Sequence, residues 1–393
     1  MLVTANRFPH HAATTSTRHP PRLFAARTSA KDGRDNEERR AVSENIVVET
    51  AERIFADLAD PQTVNADANG SWKAPLWNAL TEAGLPLAWV PEACDGAGAS
   101  LADGFGVLSA AGRFGIAVPL AETLLAGWLL AKAGIAAPQE AMTVAPTHPR
   151  DRIALQGDGT LAGRARDVPF AQDAKSIAVL VEGDGGTQVA LVDAGQCRIV
   201  PGRNLAGDGS DSVSFDGVRP LTVRPAPADA DGPALLLMGG VVRSLQIAGT
   251  LEAMLEISVR YANERVAFEK KIAKFQAVQH NLARLAGEAA AALAAASSAA
   301  DAIANGAGFD DAVFLEAVSA KIRCAEAAGT GAAIAHQVHG AIGFTREHIL
   351  HRFTMRALAW RDDFGNESYW AVELGRRIAA RGADELWPLV ASR

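Results

Sequence analysis

The sequence predicts an α+β multidomain protein with an N-terminal helical domain, a small middle β domain and a C-terminal antiparallel helical bundle. Three observations predict it. Apolar residues recur every three or four positions before about residue 135 and again after 231. Between them the period changes to short β-branched runs, "SIAVLVE", "TQVALVD" and "DSVSFDGV", separated by "GDGG", "DAGQ" and "AGDGSD". The 393 residues also suffice for two or three domains around a large buried core. The expected divisions are a disordered or leader segment at 1–42 and an N-terminal helical domain at 43–137. A middle β domain at 138–228 and a helical bundle at 229–393 follow.

Each element has its own signal. Ser43 is placed to cap "ENIVVETAERIFADLA", and Ser71 to cap "WKAPLWNALTEA", which Gly84 stops. The loop "PEACDGAGAS" leads into two more apolar helices that end near Gly134. The β domain is expected from roughly Arg150 to Arg224. Asp231-Gly232-Pro233 then opens a long helix by an N-cap with proline in the first turn. Met238, Val241, Val242, Leu245, Ala248, Leu251, Leu255 and Val259 form one continuous stripe along it. A second helix follows Phe275 and stops at Asn305-Gly306, and a third starts at Asp310 and runs toward Gly340. Thr345 is placed to cap a fourth, and Asn366 a fifth that Gly382 ends. Long helices with short joints read as an antiparallel bundle.

Composition narrows the function classes. A formal net charge of −7 argues against a nucleic-acid partner, which calls for a basic face. Cys94, Cys197 and Cys324 lie far apart, with no metal or redox spacing, as in a reducing compartment. No membrane span is expected: "LLAGWLLAKAGIAA" is short and broken by Lys132, and the Ala-rich run after Leu285 carries Glu288 and Asp301. The first 31 residues hold Arg7, Arg18, Arg22 and Arg27 and no acid. They read first as a disordered tail or an upstream start, and second as an organelle transit peptide. The expected location is cytoplasmic, or the mitochondrial matrix if residues 1–40 are such a peptide.

Three stretches carry chemistry. "YANERVAFEKKIAKFQAVQHNLARLAGE" ends one helix with Arg265 and Phe268, turns through Ile272, and restarts at Phe275-Gln276. A guanidinium fork suits a pyrophosphate and the aromatics offer faces for a flat ring. "QVHGAIGFT" ends a helix with Gly340 and Gly343 three apart, which lets backbone approach a ligand closely. On composition alone each is a helix C-terminus with a packed aromatic. "WRDDFGNESYW" sets Asp362 and Asp363 before a Phe-Gly turn, either as a base with its neighbour or as a solvated helix end. The macrodipole disfavours acids at a helix C-terminus, so an acid there needs a reason.

Together, after a β domain, these motifs resemble the acyl-CoA dehydrogenase family over nearly everything from residue 43 to 383. "LWNALTEAGLPLAWVPEACDGAG" is similar to that family's N-terminal helix and Val-Pro-Glu loop. "RVAFEKKIAKFQAVQH" follows its Arg-x-x-Phe-Gly…Ile-x-x-Phe-Gln pattern, and "QVHGAIGFT" its Gln-x-x-Gly-Gly-x-Gly pattern. The resemblance implies FAD bound without a Rossmann fingerprint. It implies Arg265, Phe268, Phe275 and Gln276 on the dinucleotide from one subunit, with Gln337, Gly340 and Gly343 from a neighbour. It therefore implies a dimer or tetramer, as a homo- or hetero-oligomer of related subunits. The implied reaction is α,β-desaturation of an acyl-CoA thioester in lipid catabolism, with electrons passed to an electron-transferring flavoprotein.

The chain departs from that pattern. Glu269 and Ala341 stand where the family has glycines, the loop "MTVAPTHPRDRIALQGDG" is short, and "DVPFAQDA" replaces a Trp followed by a hydroxyl residue. Such truncated patterns resemble the branch whose members act as pairs of unlike subunits. The family's base is a glutamate before glycine. Aligned without a gap, Phe364 falls there; a one-residue shift puts Asp363 there, which makes Asp363 the candidate base. Members with the base on the first bundle helix would place it near Gly239, where no acid stands. No metal is expected, since no histidine has a glutamate three residues before it. Rival readings are a catalytically impaired partner subunit, a flavin monooxygenase on the same fold, and a helical scaffold without ligand.

Overall fold

The computed structural model describes residues 46–391, Ala68 excepted. The leader segment and the Ser43 cap lie outside them. Helices come first: α1 (46–58), α2 (Pro61–Ala66), α3 (Lys73–Glu82), α4 (Leu101–Phe114) and α5 (Leu120–Lys132). Ser71 does not cap α3, which starts after Trp72 without a side-chain cap; the Ser71 hydroxyl instead donates to Asp67 Oδ2 at 2.8 Å. Asp67 competes for it and holds the approach to the helix as a side-chain-closed turn. Gly84, at φ +70°, ends α3 as expected.

The strands follow: β1 (Met142–Ala145), β2 (Ile153–Leu155), β3 (Leu161–Pro169), β4 (Ser176–Gly183), β5 (Gly186–Asp193), β6 (Arg198–Val200), β7 (Ser210–Ser214) and β8 (Thr222–Pro225). They form one sheet in the order β6-β7-β3-β2-β4-β5-β8, with β1 running parallel to β4. The sheet starts earlier than the β-branched runs predict, because β1 precedes Arg150 and β3, "LAGRARDVP", carries Arg164, Arg166 and Asp167 on a half-exposed strand. Between Ala165 and Val168 the register of β3 on β7 shifts. Asp167 within the shift and Phe170 just after it have φ near +50°, the left-handed region that marks a local kink of the strand. A separate apolar core (Leu161, Val179, Val213, Phe215) sits within the sheet domain.

The bundle consists of α6 (Gly232–Glu264), α7 (Gln276–Asn305), α8 (Asp311–His339), α9 (Leu350–Trp360), α10 (Glu367–Arg381) and a short α11 (Leu386–Ala391). Asp231 caps α6 by accepting from the Ala234 N–H at 2.9 Å. The stripe is buried from Met238 through Leu251, and Val259 at its end is exposed. By length and composition α6 could cross a membrane, yet its apolar window is 94% buried within the fold. Two glycines let α4 cross it closely. A methyl on Gly112 would meet Gln246 O at 2.2 Å, and one on Gly249 would meet Ser109 O at 2.2 Å. Asn366 caps α10, accepting from the Tyr369 N–H, but Thr345 does not cap α9. Its hydroxyl donates back to Ile342 O at 2.9 Å, closing a tight turn over Gly340–Phe344, and α9 begins five residues later.

Candidate functional site

Where α9 ends, the buried Lys321 ammonium donates to Trp360 O at 2.9 Å and Arg361 O at 2.7 Å, filling the orphan carbonyls of the last turn. That fixes the start of Arg361-Asp362-Asp363-Phe364. Phe364 sits at φ +55°, is 1% exposed, and lays its ring on Gly239 of α6. A methyl on Gly239 would lie 2.3–2.5 Å from three ring carbons. Phe364 and Gly239, the two positions near which the resemblance would set a base, are thus in contact, and neither is an acid.

Asp363 turns the other way. Its Oδ2 accepts from Arg243 Nε at 2.8 Å, and the Arg243 guanidinium also donates to Glu122 Oε1 and Gln246 Oε1, both at 2.6 Å. Arg243 and Glu122 are each 2% exposed. Burial alone would lower the Arg243 pKa; the carboxylates of Glu122 and Asp363 outweigh it and raise it, so the group stays charged. Asp362 and Asp363 both line a cavity of about 270 Å³ with Thr147, His148, Asp167 and Arg203. Burial pushes the Asp362 carboxyl up. The expected base therefore lies beside a cavity with one carboxylate oxygen committed to a buried arginine.

The candidate cofactor residues fall on two surfaces. Beyond α6, Val266–Ala267 and Lys270–Lys271 pair as strands β9 and β10, with Phe268 and Glu269 at the tip, at φ +50° and +64°. Phe268 is 89% exposed, and Arg265 and Gln276 are exposed as well. Phe275 anchors the hairpin, 6.2 Å from the Phe268 ring and under Lys270 Nζ at 4.3 Å. Gln337 and Gly340 line a separate groove of about 620 Å³ with Gly329, Ala332, Ala333 and Phe344. Gly343 lies beneath it; a methyl there would stand 2.9 Å from His339 Cβ and 3.2 Å from His336 Nδ1. None of Arg265, Phe268, Phe275 and Gln276 lines that groove.

The histidines form a ring cluster. His336 stacks on Phe344 at 4.2 Å, His339 on Tyr261 at 4.4 Å, and His339 lies 4.7 Å from His348. Sequence reasoning missed Arg243, Glu122, Gln246 and Lys321. Their signal is polar residues set inside apolar helix runs: "VVRSLQIAG", "PLAETLLAG" and "SAKIRCAEA". A charge that interrupts a buried stripe has to find a partner.

Comparison with known proteins bears on the fold and the family. The model of the acyl-CoA dehydrogenase N-terminal domain matches residues 42–143 and that of the C-terminal domain residues 235–371, together more than half of the chain. The acyl-CoA dehydrogenase IpdE2 of Mycobacterium tuberculosis is 29% identical over 342 residues, which is 86% of this chain and 96% of that protein. Among solved structures, the ChsE4-ChsE5 complex from Mycobacterium tuberculosis superposes with a TM-score of 0.77 at 23% identity, over 86% of this chain and 98% of the other. A variant of the Tcur3481-Tcur3483 steroid ACAD superposes with a TM-score of 0.76 at 26% identity, over 87% and 99%. The chain belongs to the acyl-CoA dehydrogenase family of oxidoreductases.

Proposed function

We propose that the chain is one subunit of an FAD-dependent acyl-CoA dehydrogenase built from unlike, related chains. In this assembly the partner supplies the base that removes the α proton. The observation that carries this reading is Phe364, buried on Gly239 at the two positions where a base would stand.

The residues fit the adenosine and pyrophosphate half of FAD. Arg265 offers an exposed guanidinium, Phe268 and Gln276 flank it, and Gln337 and Gly340 line a groove above Gly343, where a side chain would meet His339 and His336. Since the two sets line different surfaces, a cofactor spanning them would sit between subunits. The flavin half fits less well within one protomer. The cavity beside Asp363 is about 270 Å³, smaller than the roughly 300–1,000 Å³ of ordinary ligand sites, and three aspartates line it. When bound, FAD would supply acceptance of the hydride that leaves the β carbon. Phe364 and the Arg243 cluster would keep water and substrate out of this chain's own pocket. Electrons would pass on to an electron-transferring flavoprotein. The steroid ACAD at 26% identity makes a thioester of a fused-ring acid the first substrate class to try.

A second reading keeps Asp363 as a base within this chain. It is favoured by the cavity that Asp363 lines, and it requires the Arg243 pair to open when substrate binds. Purifying the chain alone and with related chains co-expressed, then titrating the flavin absorption band with acyl-CoA thioesters, tests both. A chain that binds flavin alone and bleaches with substrate sinks the first reading. If Asp363→Asn then leaves bleaching unchanged, the second falls too.

A further inference from the structure

The turn Gly340–Phe344 carries the groove of Gln337 and Gly340, and four histidines lie under it. His336 lines the groove, stacks beneath Phe344, and bonds Thr354 Oγ1 of α9 through Nε2 at 3.0 Å. His339 donates from Nδ1 to Ala335 O at 2.8 Å, so its Nε2 carries the lone pair. That Nε2, and Nδ1 of His336, are buried without a hydrogen-bond partner. His339 and His336 are 4% and 8% exposed. Tyr261 of α6 covers His339 from one side and His348 from the other, and His351 Nδ1 donates to His348 O at 2.7 Å.

The charged groups around this cluster are basic. Arg260 acts on His348 from α6, Arg346 on His351 from the loop, and Arg352 and Arg356 on His351 from α9. The rings also act on one another. Asp208, which reaches α9 from the sheet domain, is already held by Arg356 at 2.9 Å, and Glu347 on the loop is exposed. Among the described residues, a second proton on either buried ring would thus enter a pocket with no acceptor and no counter-charge.

We propose that the four histidines form an acid-sensitive latch. With neutral rings they hold the Gly340–Phe344 turn and its groove closed; on protonation they release both. The sign follows from burial, which holds all four below their ordinary value, His339 at about 4. The unfolded or opened chain binds protons first as the pH falls below about 6.5, so opening gains in that window and closure is complete above it. The consequence for a ligand, loss of FAD in acid, rests on the reading that this groove takes the dinucleotide.

Hydrogen exchange of residues 336–348, corrected for intrinsic rates, tests the latch directly in the full chain or its complex. Between pH 7.5 and pH 5.5, protection of this segment should fall at least tenfold more than that of α7. The pair of substitutions His336→Gln and His339→Gln should remove the difference. If that variant does not fold, His351→Gln should shrink the difference in the wild-type background. Equal protection at both pH values, or the same loss in the variants, overturns the proposal. Flavin retention measured alongside separates the two ideas. A turn that opens in a chain that never takes FAD sinks the cofactor reading and leaves the latch standing.

Discussion

An alanine at position 239 would drive its methyl to within 2.5 Å of the Phe364 ring, whose backbone already holds a left-handed φ that a bulky side chain rarely adopts. Trp370 Nε1 holds the Phe364 carbonyl at 3.0 Å and Arg243 lies 5.9 Å from the ring centre on its face. Gly239→Ala should therefore lower stability by roughly 1–3 kcal/mol, the usual cost of overpacking, and should cost little when Phe364 is already alanine. Additive losses in urea unfolding would show that the two residues do not press on each other. Arg243 poses the opposite case. Removing it leaves Glu122 buried with no counter-charge, so Arg243→Met should cost about 3–5 kcal/mol. Adding Glu122→Gln should return part of that, because an amide buries more cheaply than a lone carboxylate. A loss under about 1 kcal/mol for Arg243→Met would mean that water reaches the cluster.

At the scale of elements, the hairpin after α6 holds two non-glycine residues at positive φ around a two-residue turn. Glycine carries no such strain, so Glu269→Gly should raise stability by about 0.5–1 kcal/mol. A fall in melting temperature would mean that Glu269 makes a contact worth more than its strain. Lys321, which reaches from α8 to the end of α9, predicts a pH dependence. Burial lowers Lys321 to about 8 from an unfolded value of 10.5. Between those values the unfolded chain holds the proton and the folded chain does not, so stability rises with pH across that window. The gain from pH 7.5 to 9.5 should be on the order of 2 kcal/mol and vanish in Lys321→Met; an unchanged slope would mean the ammonium is hydrated. These elements also show what could be read in advance. Periodicity and the caps at Asp231, Asp310 and Asn366 give the bundle helices, because a helix start is a local event. Ser71 and Thr345 mislead, since each hydroxyl finds a nearer partner in Asp67 or Ile342. The charged strand β3 is hidden for a different reason. Only pairing with β2 and β7 makes it a strand, and that pairing is not local.

At the scale of the whole molecule, the proposed cofactor residues Arg265, Phe268, Gln276, Gln337 and Gly340 are exposed on two surfaces, whereas the candidate base Asp363 is paired with the buried Arg243. The motif residues Arg265, Gln276, Gln337 and Gly340, proposed for the cofactor, are all exposed and stand outside the apolar pattern of their helices. The Arg243 cluster was not legible in the sequence, since it joins α5, α6 and the α9–α10 turn across more than a hundred residues of sequence. If this division of labour holds, binding and chemistry should separate in one experiment on the co-expressed complex. Arg265→Ala should lose most of its flavin while leaving the melting temperature of the flavin-free complex within a degree or two. The side chain is exposed, so its loss opens no cavity and strands no buried group. Phe364→Ala should behave in the reverse way, destabilising the fold by about 3–5 kcal/mol while keeping its flavin content, because it sits in the core rather than on either dinucleotide surface. Full flavin content in Arg265→Ala would remove this hairpin from the cofactor site. Loss of flavin in Phe364→Ala under conditions where the complex stays folded would place the flavin in this chain's own pocket and return Asp363 to the role of base.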